Sequence, residues 1–170
     1  ATNMEKQNLV PALFEGFEFE IFSANQSVIR KVKSLSRSSG LRITVHGKGR
    51  LSHGELMAIL SRSLVYVGFS MSDGISTSMV EAMAAGAIPI QTCTSCADEW
   101  VEHSRTGFIL DPKDSQGLID ALKDIISGNF DVKFAREANL EVIRLRYDQK
   151  LLRETAFGYY RSMMELAKGE

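Results

Sequence analysis

Residues 64–92, LVYVGFSMSDGISTSMVEAMAAGAIPIQT, decide the fold. The two ends of this stretch, Leu64–Ser70 and Ala87–Thr92, are short apolar runs with almost no charge and little alternation, as expected of strands buried on both faces of a parallel sheet. Between them Thr77–Ala85 reads as a helix, so the stretch is a strand, a crossover and a second parallel strand. Outward from it the same alternation continues. Strands are expected at Phe17–Ala24, Leu41–Gly47 and Gly107–Leu110, and helices at Ser27–Ser38 and Gly54–Arg62. Asp114 is placed to cap a helix over Ser115–Ser127 that Gly128 closes. A further helix is expected over Met4–Phe14, and Asp131–Lys168 reads as two helices broken at Tyr147-Asp148. The fold class is therefore α/β: a doubly wound, mostly parallel Rossmann-like sheet with a helical C-terminal extension.

The chain has 170 residues, room for one domain. A domain of that size buries roughly 70% of its unfolded surface and needs no covalent staples. Hydrophobic residues at 44% and charged residues at 24% exclude disordered, collagen-like and disulfide-scaffold classes. Twenty Lys and Arg against 21 Asp and Glu leave a net charge of −1, so no global field favours nucleic acid. No apolar run approaches the ~20 residues needed to cross a bilayer. The first residues also lack the charged-then-apolar pattern of a signal peptide. A cytoplasmic domain is expected. The charge is unevenly spread: Ile21–Gly54 holds no acid but contains Arg30, Lys31, Lys33, Arg37, Arg42, Lys48 and Arg50. Such a stretch is either a solvated face balanced by neighbouring acids or a contact with anionic lipid at a membrane surface or with a phosphorylated acceptor.

In an open parallel sheet ligands bind beyond the carboxyl ends of the strands. That rule selects Asn25–Ser27, Lys48–His53, Met71–Ser76 and Cys93–Asp98. Met71–Gly86 is the unusual one. It leaves a buried strand, turns through Asp73-Gly74, and offers Ser76, Thr77 and Ser78 at the start of a helix. Helix N-termini carry unpaired amides and about half a positive charge, which suits phosphate. Glu81 lies four residues beyond Thr77, on the same helix face, where a carboxylate can accept hydrogen bonds from ribose hydroxyls. The spacing Ser78-x-x-Glu81 equally fits a capping box, and spacing alone does not separate the two.

Other features point to no chemistry of their own. Cys93-Thr94-Ser95-Cys96 has C-x-x-C spacing but no second pair to complete a zinc site, and two small buried thiols are expected. His46, His53 and His103 are too dispersed to ligate a metal, and Trp100 and Met57, Met71, Met79 and Met83 read as packing residues. The Asn25-Gln26-Ser27 triplet is a glycosylation acceptor only in a secreted protein.

Asp73-x7-Glu81 followed by Ala82-Met83-Ala84-Ala85-Gly86-Ala87-Ile88-Pro89-Ile90 resembles the signature of family 4 glycosyltransferases of the GT-B fold. Glu99, Thr106-Gly107-Phe108 and Ala121-Leu122 continue the resemblance downstream, and Gly47 with the helix start Ser52–Leu56 extends it upstream. In all it covers roughly Phe17 to Tyr160. The resemblance implies that the chain is the C-terminal, donor-binding lobe of a nucleotide-sugar enzyme, its acceptor-binding N-terminal lobe lying outside these residues. It implies retaining hexosyl transfer with no metal ion and no cofactor. Asp73 would touch the transferred sugar beside the reacting carbon. The amides of Gly74, Ile75 and Ser76 would meet sugar hydroxyls, Thr77 and Ser78 the pyrophosphate, and Glu81 the ribose. Gly47, Lys48, Gly49 and Arg50 would border the base. Asp73 stands where the family pattern has Glu, and Ser76 where it has a second Gly. The family's phosphate-binding Arg and Lys have no clear match; Lys6 is the nearest candidate, and a first strand upstream of Ala1 is expected. An epimerase or phosphorylase of the same fold would share this donor site, and a non-catalytic receiver-like module is the alternative from another class.

Overall fold

The computed structural model of the chain describes residues 14–71 and 74–167. The expected helix over Met4–Phe14 and the candidate Lys6 fall outside the described residues, apart from Phe14, which begins a turn. The chain that reads as one domain divides into two compact units, residues 1–59 and 60–170. Each has its own parallel sheet, so the expected doubly wound sheet takes the form of a two-stranded and a three-stranded piece.

The first unit is a strand–helix–strand crossover. Strands β1 (Glu18–Ala24) and β2 (Arg42–Gly47) run parallel, pairing Glu18 with Arg42 and Ala24 with Gly47. The register shifts between Ile21 and Ala24, where Ser23 adopts φ 55°, so β1 carries an irregularity just before its carboxyl end. Helix α1 (Gln26–Ser39) begins one residue earlier than the apolar pattern suggests, because Asn25 Oδ1 accepts the Val28 N–H at 3.0 Å and the Ser27 hydroxyl at 2.8 Å. The Asn-Gln-Ser triplet is thus a helix cap. Gly40, with φ 69°, ends the helix in the left-handed conformation that favours glycine. Val32 is buried, while Arg30, Lys31, Lys33 and Arg37 are all exposed. Of the basic stretch, Arg42 pairs with Glu18 at 3.2 Å across the two strands.

After β2, Ser52 and Glu55 form a reciprocal capping box for α2 (His53–Arg62). The Glu55 carboxylate accepts both the Ser52 amide and the Ser52 hydroxyl at 2.7 Å.

In the second unit, strands β3 (Val65–Gly68), β4 (Ile88–Thr92) and β5 (Phe108–Leu110) lie parallel in the order β3-β4-β5. Every residue of the central strand β4 is buried, as the charge-free run Ala87–Thr92 predicts. Helix α3 (Thr77–Ala84) crosses from β3 to β4 and buries Met79, Val80, Ala82 and Met83. On β4 and β5, Ile88, Ile90, Phe108 and Leu110 form one apolar cluster with Ala121 and Ile125 of α4 (Ser115–Ser127). Asp114 caps α4 by accepting the Gly117 N–H, and Gly128 closes it with φ 79°, both as the sequence predicts. The tail forms α5 (Val132–Tyr147) and α6 (Gln149–Leu166), divided where expected because Asp148 caps the second by accepting the Leu151 N–H. α6 buries none of its residues. Among the described residues, no helix is long and apolar enough to cross a membrane.

Two packing expectations are met and two are corrected. Trp100 is buried, with the Tyr147 ring 5.4 Å away and the Arg146 guanidinium 4.6 Å over its face. Met79 and Met83 have no exposed surface, but Met71 is exposed on the loop after β3. Cys93 and Cys96 are also exposed, because the segment after β4 is not an irregular loop. It winds into two 3₁₀ turns, Cys93–Ser95 and Ala97–Glu99, which bury Ala97 and leave both thiols in solvent.

Candidate functional site at the carboxyl edge of the strands

Because β3 and β4 are parallel neighbours, the segments that follow them emerge at the same edge of the sheet. The segment after β3 leads into α3, whose N-cap is Ser76 with extended backbone (φ −70°, ψ 102°). Ser76 Oγ accepts the Met79 N–H at 3.4 Å, and the Ser76 carbonyl accepts from Met79 and Val80. This settles the competing reading of the helix start. A capping box built on Ser78 would need Ser78 outside the helix, but Ser78 is its second residue. Glu81 is therefore not the third residue of a box and lies more than a turn into the helix, partly buried, on the same side as Thr77.

The chemistry offered at this end follows from the geometry. Ser76 is buried and occupied as a cap, whereas Gly74, Ile75 and Thr77 are exposed and Ser78 is partly buried. The amides of Thr77 and Ser78 have no intrahelical carbonyl to bond, since they belong to the first turn. An exposed hydroxyl, two first-turn amides and the positive end of the helix dipole thus meet at one surface. Asp73 lies outside the described residues.

The start of this segment is anchored from the neighbouring strand. Thr92, fully buried at the end of β4, donates its hydroxyl to the Ser70 carbonyl at 2.9 Å and accepts the Ser70 N–H at 3.2 Å. Thr94 Oγ1 also donates to the Ser70 carbonyl, at 2.7 Å, and lies 3.1 Å from Thr92 Oγ1. Two hydroxyls from the β4 edge thereby clamp the first residues of the segment leading to α3. The available signal was a pair of threonines two apart where a buried apolar strand ends. At the opposite end of α3, Arg136 Nε of α5 donates to the Gly86 carbonyl at 2.7 Å, placing a cation at the negative end of the helix.

In the first unit, Gly47–Arg50 forms a tight turn at the carboxyl end of β2. The Arg50 N–H bonds the Gly47 carbonyl at 3.1 Å, and Gly49 takes φ 70°. The Lys48 N–H bonds the Ala24 carbonyl at 3.2 Å, fixing the turn to the end of β1. Both basic side chains, Lys48 and Arg50, are exposed. A cavity of about 330 Å³ in the same unit lies at the other end of these strands, lined by Phe14, Gly16, Phe17, Gly40, Leu41 and Arg42. It is remote from the carboxyl edge that parallel-sheet ligand sites use.

The dispersed histidines have structural partners. His46 Nε2 lies 2.7 Å from a Glu20 carboxylate oxygen, and His103 Nδ1 accepts the Ile109 N–H at 3.1 Å. Among the described residues no cluster of three or more His, Cys, Asp or Glu could hold a metal ion. Thr106-Gly107 proves to be a packing junction. Thr106 is buried and its carbonyl accepts Asn139 Nδ2 at 2.8 Å. A Cβ on Gly107 would lie 2.5 Å from the Pro89 carbonyl oxygen.

Comparison with known proteins places this architecture. Sucrose-phosphate synthase from Thermosynechococcus elongatus superposes with a TM-score of 0.72 at 18% identity, over 92% of this chain and 42% of the other. The C-terminal domain of the glycosyl transferase group 1 family protein LpcC from Francisella tularensis gives 0.62 at 19% identity, over 72% of this chain and 63% of the other. HepE from Anabaena, in complex with UDP-glucose, gives 0.68 at 16% identity, over 95% and 46%. At these identities the likeness establishes the fold, the Rossmann-like lobe of GT-B glycosyltransferases. The chain spans less than two thirds of each of these structures. No curated protein sequence matches it significantly. The family model described as glycosyl transferases group 1 matches residues 21–140, from within β1 to α5 and through every element described above as bordering the carboxyl edge, and the chain belongs to that family.

Proposed function

We propose that this chain is the donor-binding lobe of a retaining glycosyltransferase that takes a hexosyl group from a nucleotide-sugar without a metal ion or other cofactor. The observation that carries the reading is the start of α3, where a buried serine cap leaves Thr77 and the first-turn amides open at the carboxyl edge of a parallel sheet. A pyrophosphate at that end would be held by amides and dipole, which also stabilise the charge that builds on the leaving group during transfer. Glu81 accepts hydrogen bonds from the ribose. Gly74, Ile75 and Ser76 serve the sugar with their amides, and Thr77 and Ser78 the phosphates. Asp73 acts beside the reacting carbon. Gly47, Lys48, Gly49 and Arg50 border the base, an assignment that rests on the resemblance alone. The acceptor binds to a separate N-terminal lobe, so these 170 residues bind donor but transfer little. The setting in this reading is the cytoplasm.

Thermal unfolding with UDP, GDP, ADP and their sugars tests the reading, with UDP-glucose as first probe because HepE is seen with that ligand. A ligand at 100 times its dissociation constant should stabilise the chain by about 2.7 kcal/mol. The shift should persist in excess EDTA and shrink in Glu81→Ala. If no nucleotide shifts the transition, donor binding is wrong. A full shift in Glu81→Ala removes the ribose assignment, and appreciable transfer by this chain alone removes the two-lobe reading.

A further inference from the structure

We propose that Cys93 and Cys96 are a redox-responsive dithiol that closes to a disulfide and, in closing, weakens nucleotide binding at α3; the second half rests on the donor-site reading above.

The local fold brings the pair close along the chain. Cys93 opens a 3₁₀ turn and Cys96 is its C-terminal cap, three residues on. Three steps of about 2.0 Å along a 3₁₀ turn set the two Cα atoms roughly 6 Å apart. Disulfides span Cα separations of about 4.4–6.8 Å. Both thiols are free and exposed, so an oxidant can reach them, unlike the buried thiols that the strand-end position suggests. Cys96 also holds φ 49°, a left-handed conformation uncommon for a residue with a side chain, which turns the chain sharply between the two 3₁₀ turns.

The consequence for the site runs through the residue between them. Thr94 lies inside the Cys93–Cys96 ring and donates its hydroxyl to the Ser70 carbonyl at 2.7 Å, beside the Thr92 bonds to the same residue. Disulfide Cβ atoms approach to about 3.8 Å, and the left-handed Cys96 turns its Cβ out of line with that of Cys93, so ring closure requires the backbone of the turn to move. Thr94 moves with the turn and its bond to Ser70 is lost. Ser70 heads the segment that leads to Gly74 and the Ser76 cap.

The oxidant is a small-molecule disulfide of the glutathione class. One cysteine thiolate attacks a sulfur of that disulfide and expels the first small thiol, leaving a mixed disulfide. The second cysteine thiolate then attacks the protein-side sulfur and expels the second thiol. The protein loses two electrons and two protons, and the small disulfide becomes two thiols.

The whole chain is equilibrated in buffers of graded oxidised-to-reduced glutathione, and intact mass and thiol titration are read before nucleotide is added. The expected product is 2 Da lighter (two hydrogens lost per disulfide closed), with both thiols consumed and no adduct retained. Its UDP-glucose Kd should rise on the order of fivefold, the worth of one hydrogen bond. Dithiothreitol should restore it. Cys93→Ser should bind equally in both buffers, and Thr94→Val should reproduce the oxidised affinity under reducing conditions. Glutathione adducts in place of the lighter species overturn the dithiol. Closure with an unchanged Kd overturns the coupling. Failure of the reduced protein to bind any nucleotide overturns the donor reading while the mass and thiol result stands by itself.

Discussion

Thr92 Oγ1 donates to the Ser70 carbonyl at 2.9 Å and accepts the Ser70 N–H at 3.2 Å, so one buried side chain satisfies both backbone groups of the residue where the site segment begins. A hydroxyl that both donates and accepts is the smallest group able to do this. Valine has nearly the shape of threonine but neither function. Thr92→Val should therefore leave the Ser70 amide without its partner and destabilise the chain by about 1–3 kcal/mol. Thr92→Ser should recover most of that loss. Urea unfolding of the three proteins checks it, and equal midpoints for wild type and Thr92→Val would show the clamp to be dispensable.

The N-cap of α3 offers a second measurement. Ser76 is buried and its hydroxyl oxygen accepts the Met79 N–H. Ser76→Ala should cost about 1 kcal/mol, the usual worth of a serine cap, whereas Ser78→Ala should cost less because Ser78 is already inside the helix. The comparison of the two variants by thermal unfolding is decisive: if Ser78→Ala is the more damaging, the cap has been assigned to the wrong serine.

Much of this architecture was legible in the residues. The bounds of α4 follow from Asp114 and Gly128, and the break between α5 and α6 from Asp148, because cap chemistry is local and names its own position. The start of α3 was less so. Ser76, Thr77 and Ser78 can each cap a helix, and the choice among them is made by which helix phase sends Met79, Ala82 and Met83 into the core. Spacing cannot see that contest. The two separate sheets and the Thr92–Ser70 clamp depend on pairings across the chain, 22 residues apart in the second case, and leave no local trace. The thiols misled for a different reason. Cysteine is among the most buried residue types, and that prior was overridden by 3₁₀ turns that bury Ala97 instead.

At Gly107 the constraint is space and not conformation. A Cβ there would sit 2.5 Å from the Pro89 carbonyl oxygen and 2.8 Å from Val101 Cγ1. The first neighbour is backbone of the central strand and cannot step aside. Gly107→Ala should lose about 1–3 kcal/mol or more through forced displacement of β5 from β4. Gly49→Ala provides the contrast, since its Cβ would meet open space and only the left-handed backbone at φ 70° resists it, at a cost of roughly 1–2 kcal/mol. Gly49→Asn should recover part of that loss because asparagine tolerates this conformation, while Gly107→Asn should be worse than Gly107→Ala. Unfolding midpoints of the four variants separate steric from conformational glycines.

The capping box at the start of α2 makes the chain's acid response locally readable. Glu55 is held below its ordinary pKa of 4.5, first by the hydroxyl of Ser52 and then by the Ser52 amide, both of which bond the charged carboxylate. A carboxylate whose folded pKa is depressed contributes stability above its unfolded value, and that contribution disappears as pH falls through the folded one. The box should therefore be intact at neutral pH and open only below 4.5. Glu55→Gln keeps an acceptor for the Ser52 amide but cannot titrate. The difference in melting temperature between wild type and Glu55→Gln should be constant at neutral pH and narrow as the pH drops below 4.5. Following the Glu55 carboxyl carbon by NMR gives the same answer without unfolding. Its midpoint should lie below 4.5 in the wild type and return toward that value in Ser52→Ala. An unchanged midpoint in Ser52→Ala would mean that Ser52 is not what depresses it.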